Sequence, residues 1–355
     1  MSFGERLKAA REMAGLSQEG LAAKIGNRIT KQAISKYEKD LMKPEGSSTL
    51  IALAGALQVP VDYFFRTVSR EPLDVHFRKR AVIGAKSVRA MTEIVRDRLE
   101  RYVELEELLG IQADFVSPLR RQGLRAEDDS IAAARELRVA WGIGSDQPVA
   151  SVTQLFEDKG IKLITVKGFD GFDGMAGYYR NHRFISIQEN FPKERVRFTL
   201  LHELAHILLW DSNHQDDKQD EKLCHLFASE FLLPAHVLRE ELSGKIRHSI
   251  AVPELLQLKA KYGISMQAIL FRAHSLSLLT DAGYKALLRD FGARGWRKSE
   301  PGEYPGDERP IRFERLLFRA ISEDVIGLSK AAALSLLPIA ELEAVLGGEH
   351  AARHQ

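Results

Sequence analysis

The stretch Phe198-Thr-Leu-Leu-His202-Glu203-Leu-Ala-His206-Ile-Leu-Leu-Trp210 sets two histidines four residues apart in an almost unbroken apolar background. Residues at that spacing share one face of a helix, so both imidazoles can reach a single Zn²⁺. Glu203 sits beside His202 and points around the helix, placed to take a proton from water rather than to bind the metal. A His-Glu-x-x-His string also arises by chance on solvated helices. Here Leu200, Leu201, Leu204, Ala205, Ile207, Leu208 and Leu209 make the helix apolar nearly all round, which predicts burial. Three ionisable side chains in a buried helix are costly unless they are paired or bind a metal. The chemistry indicated is that of a zinc hydrolase.

Upstream of this helix the hydrophobic period changes. Ile131, Ala134, Leu137, Ala140 and Trp141 predict a helix stopped by Gly142, and Val149 to Lys159 predicts another stopped by Gly160. Residues 161–166, 175–180 and 183–188 are short β-rich runs, the last two reading as a hairpin. This order of helices, sheet and metal helix fits a zincin scaffold, with an antiparallel sheet above the motif. The edge strand of such a sheet holds substrate by strand addition, and residues 175–180 or their neighbour are the candidates. Tyr178 or Tyr179 would be placed to supply a phenol to an oxyanion, although most strand tyrosines simply pack.

A catalytic zinc needs a third protein ligand and an open position. Downstream, Asp220-Glu221-Lys-Leu-Cys224-His225-Leu-Phe227-Ala228-Ser-Glu230-Phe-Leu-Leu-Pro234 predicts a second helix packed through Leu223, Phe227 and Phe231. On geometry alone Glu221, Cys224 and His225 all qualify. Cys224 on its own reads as small buried packing.

Three segments together resemble the ImmA/IrrE metallopeptidases: Trp141-Gly-Ile-Gly, Arg197-Phe-Thr-Leu-Leu-His-Glu-Leu-Ala-His-Ile-Leu-Leu, and the Glu221 to Pro234 run. The likeness covers roughly residues 131–240. It implies Glu221 as third ligand beside His202 and His206, with Glu203 as general base. Where that family commonly carries Asn, this chain has His225. It is either a partner that orients the Glu221 carboxylate or a competing ligand.

At the N-terminus, Leu7, Ala10, Met13 and Ala14 keep helical spacing up to Gly15. Ser17 caps a second helix, and Thr30 caps a third that buries Ala33, Ile34 and Tyr37 while turning Lys31, Gln32, Ser35 and Lys36 outward. Such a pair is a helix-turn-helix whose second helix can enter the major groove, with Gln18, Thr30, Lys31, Gln32, Ser35 and Lys36 as candidate DNA contacts. Leu16-Ser-Gln-Glu-Gly-Leu-Ala, Ile34-Ser-Lys-Tyr-Glu38 and Leu57-Gln-Val-Pro-Val-Asp-Tyr-Phe64 resemble the Xre/lambda-repressor family. Residues 1–66 hold ten Lys and Arg against seven Asp and Glu, a net of about +3. That is modest for DNA binding and points to a homodimer that adds phosphate contacts. A helix-turn-helix used only for protein contact is the competing reading.

The expected organisation is mainly α with a small antiparallel β-sheet. It divides into a helix-turn-helix domain at 1–67, a helical linker or dimerisation strut at 68–130, a zincin-like peptidase at 131–240 and a C-terminal helical region at 241–355. Within the last, 252–276 has the pattern of a second helix-turn-helix or of a helical pair packed on the peptidase. Pro301, Pro305, Gly306 and Pro310 mark an exposed loop. In the strut, residues 86–109 space Val88, Met91, Val95, Leu99 and Val103 as a long amphipathic helix. Residues 117–129 read as a loop.

Over the 355 residues the net charge is only +2, so any basic surface is local. One cysteine excludes an intrachain disulfide framework and suits a reducing cytoplasm. No apolar run reaches the length of a membrane span, and the N-terminus lacks the apolar core of a signal peptide. The expected protein is a cytoplasmic, DNA-binding zinc metalloendopeptidase, latent until induced. Its substrate would be an Xre-type repressor, a partner or its own kind, and its targets operators in a stress or mobile-element response. The alternative is a transcription factor whose zinc site is structural or senses a signal.

Overall fold

The computed structural model describes residues 2–66, 73–76, 84–119, 126–209 and 217–347. Trp210, Gly123 and the end of the tail lie outside them. Helices α1 (Phe3–Met13), α2 (Gln18–Lys24), α3 (Lys31–Glu38) and α4 (Ser47–Leu57), with a 3-10 turn at Val61–Phe65, enclose a core that includes Leu7, Leu21, Ile34, Leu53 and Phe64. The starts of the first three are fixed by side-chain caps from Ser2, Ser17 and Thr30, each accepting from a backbone N–H otherwise left orphaned.

The chain continues through β1 (Leu73–His76), α5 (Ala85–Leu108), α6 (Glu127–Ala140), α7 (Val152–Asp158), β2 (Lys162–Val166), β3 (Gly174–Tyr179) and β4 (His182–Gln188). Helices α8 (Lys193–Leu209), α9 (Asp217–Leu232), α10 (Ala235–Glu241), α11 (Val252–Tyr262) and α12 (Met266–Ser275) come next. Last are α13 (Asp281–Ala293), α14 (Arg312–Ser322), α15 (Leu328–Ser335) and α16 (Ile339–Leu346). The protein is mainly α with one small sheet, as its sequence predicts.

The sheet corrects the expectation in two respects. Its order is β1-β3-β4-β2, and β2 pairs with β4 in parallel, so it is mixed rather than antiparallel. The parallel pairing arises because the segment after Val166 carries the chain past the place of β4 to β3, and β4 then folds back between β3 and β2. In addition β1, which falls in the segment expected to be a helical linker or dimerisation strut, adds to the sheet antiparallel to β3.

Alternation along the strands divides two cores between the faces of the sheet. Ala176, Ile185 and Ile187 join α6, α8, α9, α11 and α12 on one face, while Met175, Tyr179 and Phe184 join α5 and α14 on the other. Helix α5 is therefore a spine inside its own chain. Its apolar residues Met91, Val95, Leu99 and Val103 are buried there, and they are not open to serve as a dimer seam.

Helices α11 and α12 form the predicted pair, joined at Gly263 in a left-handed conformation. Ile269, Leu270, Arg272 and Ala273 of α12 are buried in the core formed with α8 and α9, and Arg272 pairs with the buried Glu230 of α9. The packing is that of a helical pair laid on the core of α8 and α9. The Pro-containing segment at 301–310 likewise departs from an exposed loop. It is a strap whose Tyr304 and Glu308 are buried, and Glu308 accepts from the N–H groups of Val152 and Thr153 at the start of α7.

Candidate metal centre

Helix α8 is held by its first turn. Arg197 is fully buried and donates to the carbonyls of Val149, Tyr262 and Gly263, and it pairs with Glu308 of the strap at 2.5 Å. A side chain at Gly263 would strike this guanidinium, which together with its positive φ explains the glycine. Glu194, one turn earlier, accepts from the Tyr304 N–H at 2.7 Å. These contacts fix the rotation of α8 and hence which face it turns towards α9.

On that face the Nε2 atoms of His202 and His206 lie 3.0 Å apart. Glu221 of α9 places Oε2 3.3 Å from His202 Nε2 and Oε1 3.8 Å from His206 Nε2. Ligand atoms bound at about 2.0–2.2 Å around a tetrahedral Zn²⁺ sit roughly 3.3 Å from one another. Two imidazole nitrogens and a carboxylate oxygen at these separations therefore fit a shared divalent cation.

His225 joins the cluster from its edge. Its Nε2 is 3.8 Å from Glu221 Oε2, too long for a hydrogen bond, and its ring packs 4.7 Å from that of His202 and 5.6 Å from that of Phe198. His202, Glu221 and His225 can also bring three donor atoms within 4.8 Å of one another. Cys224 points elsewhere. Its Sγ lies 3.0 Å from His206 Nδ1, on the side of the ring away from Nε2, so it contacts a histidine rather than completing the donor set. The sequence leaves this cysteine as a ligand by spacing or as small buried packing, and neither reading includes the contact with His206.

Glu203 is buried, 8 % exposed. It lies against the start of β3: a Cβ built on Gly174 would stand 3.1 Å from its Cγ and Oε1, and 2.8 Å from Thr199 Cγ2. Gly174 carries no positive φ, so close approach alone calls for glycine there. Sequence reasoning misses this residue because a glycine at a strand end reads as a turn.

The two tyrosines do not reach this arrangement. Tyr179 is fully buried in the core shared with α5 and α14. Tyr178 shares the face of Gly174, but four residues at about 3.3 Å each separate them. Its ring stacks under the Arg183 guanidinium at 3.3 Å. Strand pairing places both at the end of β3 away from Glu203, so they pack.

In the helix-turn-helix, Lys31, Gln32 and Lys36 are exposed on α3 and Ser35 is half-buried. Lys31 lies 3.9 Å from Glu19. Thr30 Oγ1 accepts from the Ala33 N–H as the cap of α3. Gln18 donates to Glu38, which also receives Arg11, so it ties α1, α2 and α3 together.

The family described as IrrE N-terminal-like domain matches residues 156–274, and the one described as helix-turn-helix matches residues 7–64. The chain is 31% identical over 108 residues to the "Uncharacterized HTH-type transcriptional regulator YqaE" of Bacillus subtilis (strain 168), covering 90% of that protein and 29% of this chain. It is 40% identical over 63 residues to the "HTH-type transcriptional regulator ImmR" of the same organism, 47% of that protein and 18% of this chain. An "Uncharacterized HTH-type transcriptional regulator" of Sinorhizobium medicae (strain WSM419) is 44% identical over 62 residues. The chain spans about two-fifths of that relative's length, 42%, and 18% of this chain is matched. The chain belongs to the HTH-type transcriptional regulators and carries an ImmA/IrrE-type metallopeptidase domain behind its Xre-like helix-turn-helix. Among the described residues no helix is long and apolar enough to cross a membrane.

Proposed function

We propose that this protein is a DNA-binding zinc metalloendopeptidase that regulates transcription by cutting an Xre-type repressor, either a partner or its own kind. The observation that carries the reading is Glu203, a carboxylate buried beside the His202–His206–Glu221 donor set and against the start of a strand. His202, His206 and Glu221 would hold the metal. When bound, Zn²⁺ would polarise a peptide carbonyl and make water a competent nucleophile near neutral pH. Glu203 accepts the proton from that water and returns it to the leaving amine. Glu221 is positioned by its own helix, with His225 Nε2 3.8 Å from the same oxygen that approaches His202, while Cys224 orients His206 through Nδ1. The exposed polar face of α3 would direct the peptidase to operator DNA through Lys31, Gln32 and Lys36.

The test pairs zinc analysis with incubation of the full chain and an Xre-type repressor, for the wild type and Glu203→Gln. Retained zinc with cleavage lost in the variant supports the reading; no cleavage by zinc-loaded wild type under any inducing condition removes it. One observation favours a second reading. His225 stands close enough to serve as a fourth ligand, and four protein ligands would make a closed, structural or sensing site. Such a site has no use for Glu203, so Glu203→Gln would leave DNA binding and regulation unchanged.

A further inference from the structure

The edge of β3 is occupied by the chain itself. Strand β1 pairs antiparallel with β3 in the register Leu73 to Tyr179, Asp74 to Tyr178, Val75 to Gly177 and His76 to Ala176. Without β1, the order β1-β3-β4-β2 would leave β3 as the sheet edge next to Glu203. β1 runs towards Glu203, and its pairing stops two residues short of Gly174, against which the Glu203 carboxylate lies.

Two features show that β3 is shaped to receive a strand. A Cβ at Gly177 would fall 2.4 Å from the Asp74 carbonyl oxygen and 2.6 Å from the Phe184 ring, so the bare backbone at this position is what allows close approach. Leu73 and Val75 turn into the core shared with α5, whereas Asp74 is exposed, giving β1 the apolar-in, polar-out alternation of a docked peptide. β1 also belongs to the segment joining the helix-turn-helix to α5, so it enters the sheet from outside the stretch that matches the peptidase family.

We propose that β1 is a resident occupant of the β3 edge, which an extended substrate strand must displace to bind there. The occupancy stands on strand pairing alone; only the cleavage that displacement would permit rests on the peptidase reading. The ligand class is an extended segment running antiparallel to β3, apolar at alternate positions. Main-chain hydrogen bonds supply its affinity, and the two inward-facing positions where Leu73 and Val75 now pack half-buried supply its selectivity. An edge strand left bare beside a protease would also invite pairing with any exposed chain, which a resident strand prevents.

The experiment uses full-length, zinc-loaded protein carrying Glu203→Gln, with and without Leu73→Asp and Val75→Asp, monitored by amide hydrogen exchange. The β3 segment 174–179 should exchange at least about tenfold faster in the released variant while α8 keeps its protection. A capped synthetic peptide of residues 71–78 should restore that protection in the variant and leave the parent unchanged. Unaltered exchange of β3, or failure of the peptide to protect it, would overturn the proposal. The milder pair Leu73→Ala and Val75→Ala guards against misfolding and should give an intermediate rate. A separate arm with Glu203 intact compares repressor cleavage by parent and released variant. Faster cleavage by the variant supports displacement, and equal rates overturn it. Absence of cleavage in both removes the peptidase reading, while the exchange result still decides the edge.

Discussion

In the proposed mechanism Glu203 is the residue on which the chemistry turns, because a carboxylate beside two histidines placed to hold a metal can move the proton of an attacking water. Glu203→Gln keeps the shape and removes the base. It should retain zinc and fold, and lose repressor cleavage by about 10²–10⁴-fold, read from single-turnover rates. Gly174 gives a second handle on the same carboxylate. Gly174→Val would press a side chain into space held by Thr199 and Glu203. Cleavage should fall by at least about tenfold while amide-exchange protection of α1–α4 stays put. The histidine spacing and Glu203 were legible in the sequence because one helix carries them at a fixed period. Glu221 was legible only as one of three choices on α9. Gly174 and the contact between Cys224 and His206 were not, because each depends on how two elements distant in sequence approach.

Among the elements, α8 shows how far a local pattern reaches. Its burial is readable from its apolar residues, but its anchor is not. Arg197 closes on Glu308, 111 residues away, and nothing in the spacing joins them. Removing one member of a buried pair leaves the other charge uncompensated, at a cost of about 3–5 kcal/mol. Glu308→Ala should therefore lower the thermal midpoint of the core around α8, and Arg197→Met with Glu308→Leu should recover part of it. Strand β1 was unreadable for a related reason. Four residues carry too little alternation to declare a strand, and its partner edge is supplied by residues a hundred positions on. Glu104 of α5 gives an element-scale test in pH. Burial pushes its carboxyl up, but hydrogen bonds from Lys330 and Arg66 outweigh this and hold it below the ordinary glutamate range. A depressed acid contributes stability above its unfolded value and loses it as pH falls through the folded one. Compared with Glu104→Gln, the parent should lose its advantage in denaturant midpoint only below that ordinary range. An equal difference at every pH would contradict the pairing.

At the scale of the molecule, α5 connects the parts. Arg6 of α1 pairs with Glu100 at 2.6 Å, both about 1 % exposed, and Arg66 reaches Glu104 at 2.8 Å, so the helix-turn-helix is seated on the spine that also covers the sheet. The fold class was legible throughout, since helical and strand periods are local properties. The mixed sheet, the strap and the seating of the helix-turn-helix were not, since each joins segments far apart in sequence. The central claim is that the donors in the middle of this arrangement form an open catalytic site. Crystals of the zinc-loaded protein, measured at the zinc absorption edge, test it directly. One anomalous peak is expected within bonding distance of His202 Nε2, His206 Nε2 and the Glu221 carboxylate, with Glu203 facing its open side. A peak enclosed by four protein ligands including His225, or no peak among these residues, would contradict it.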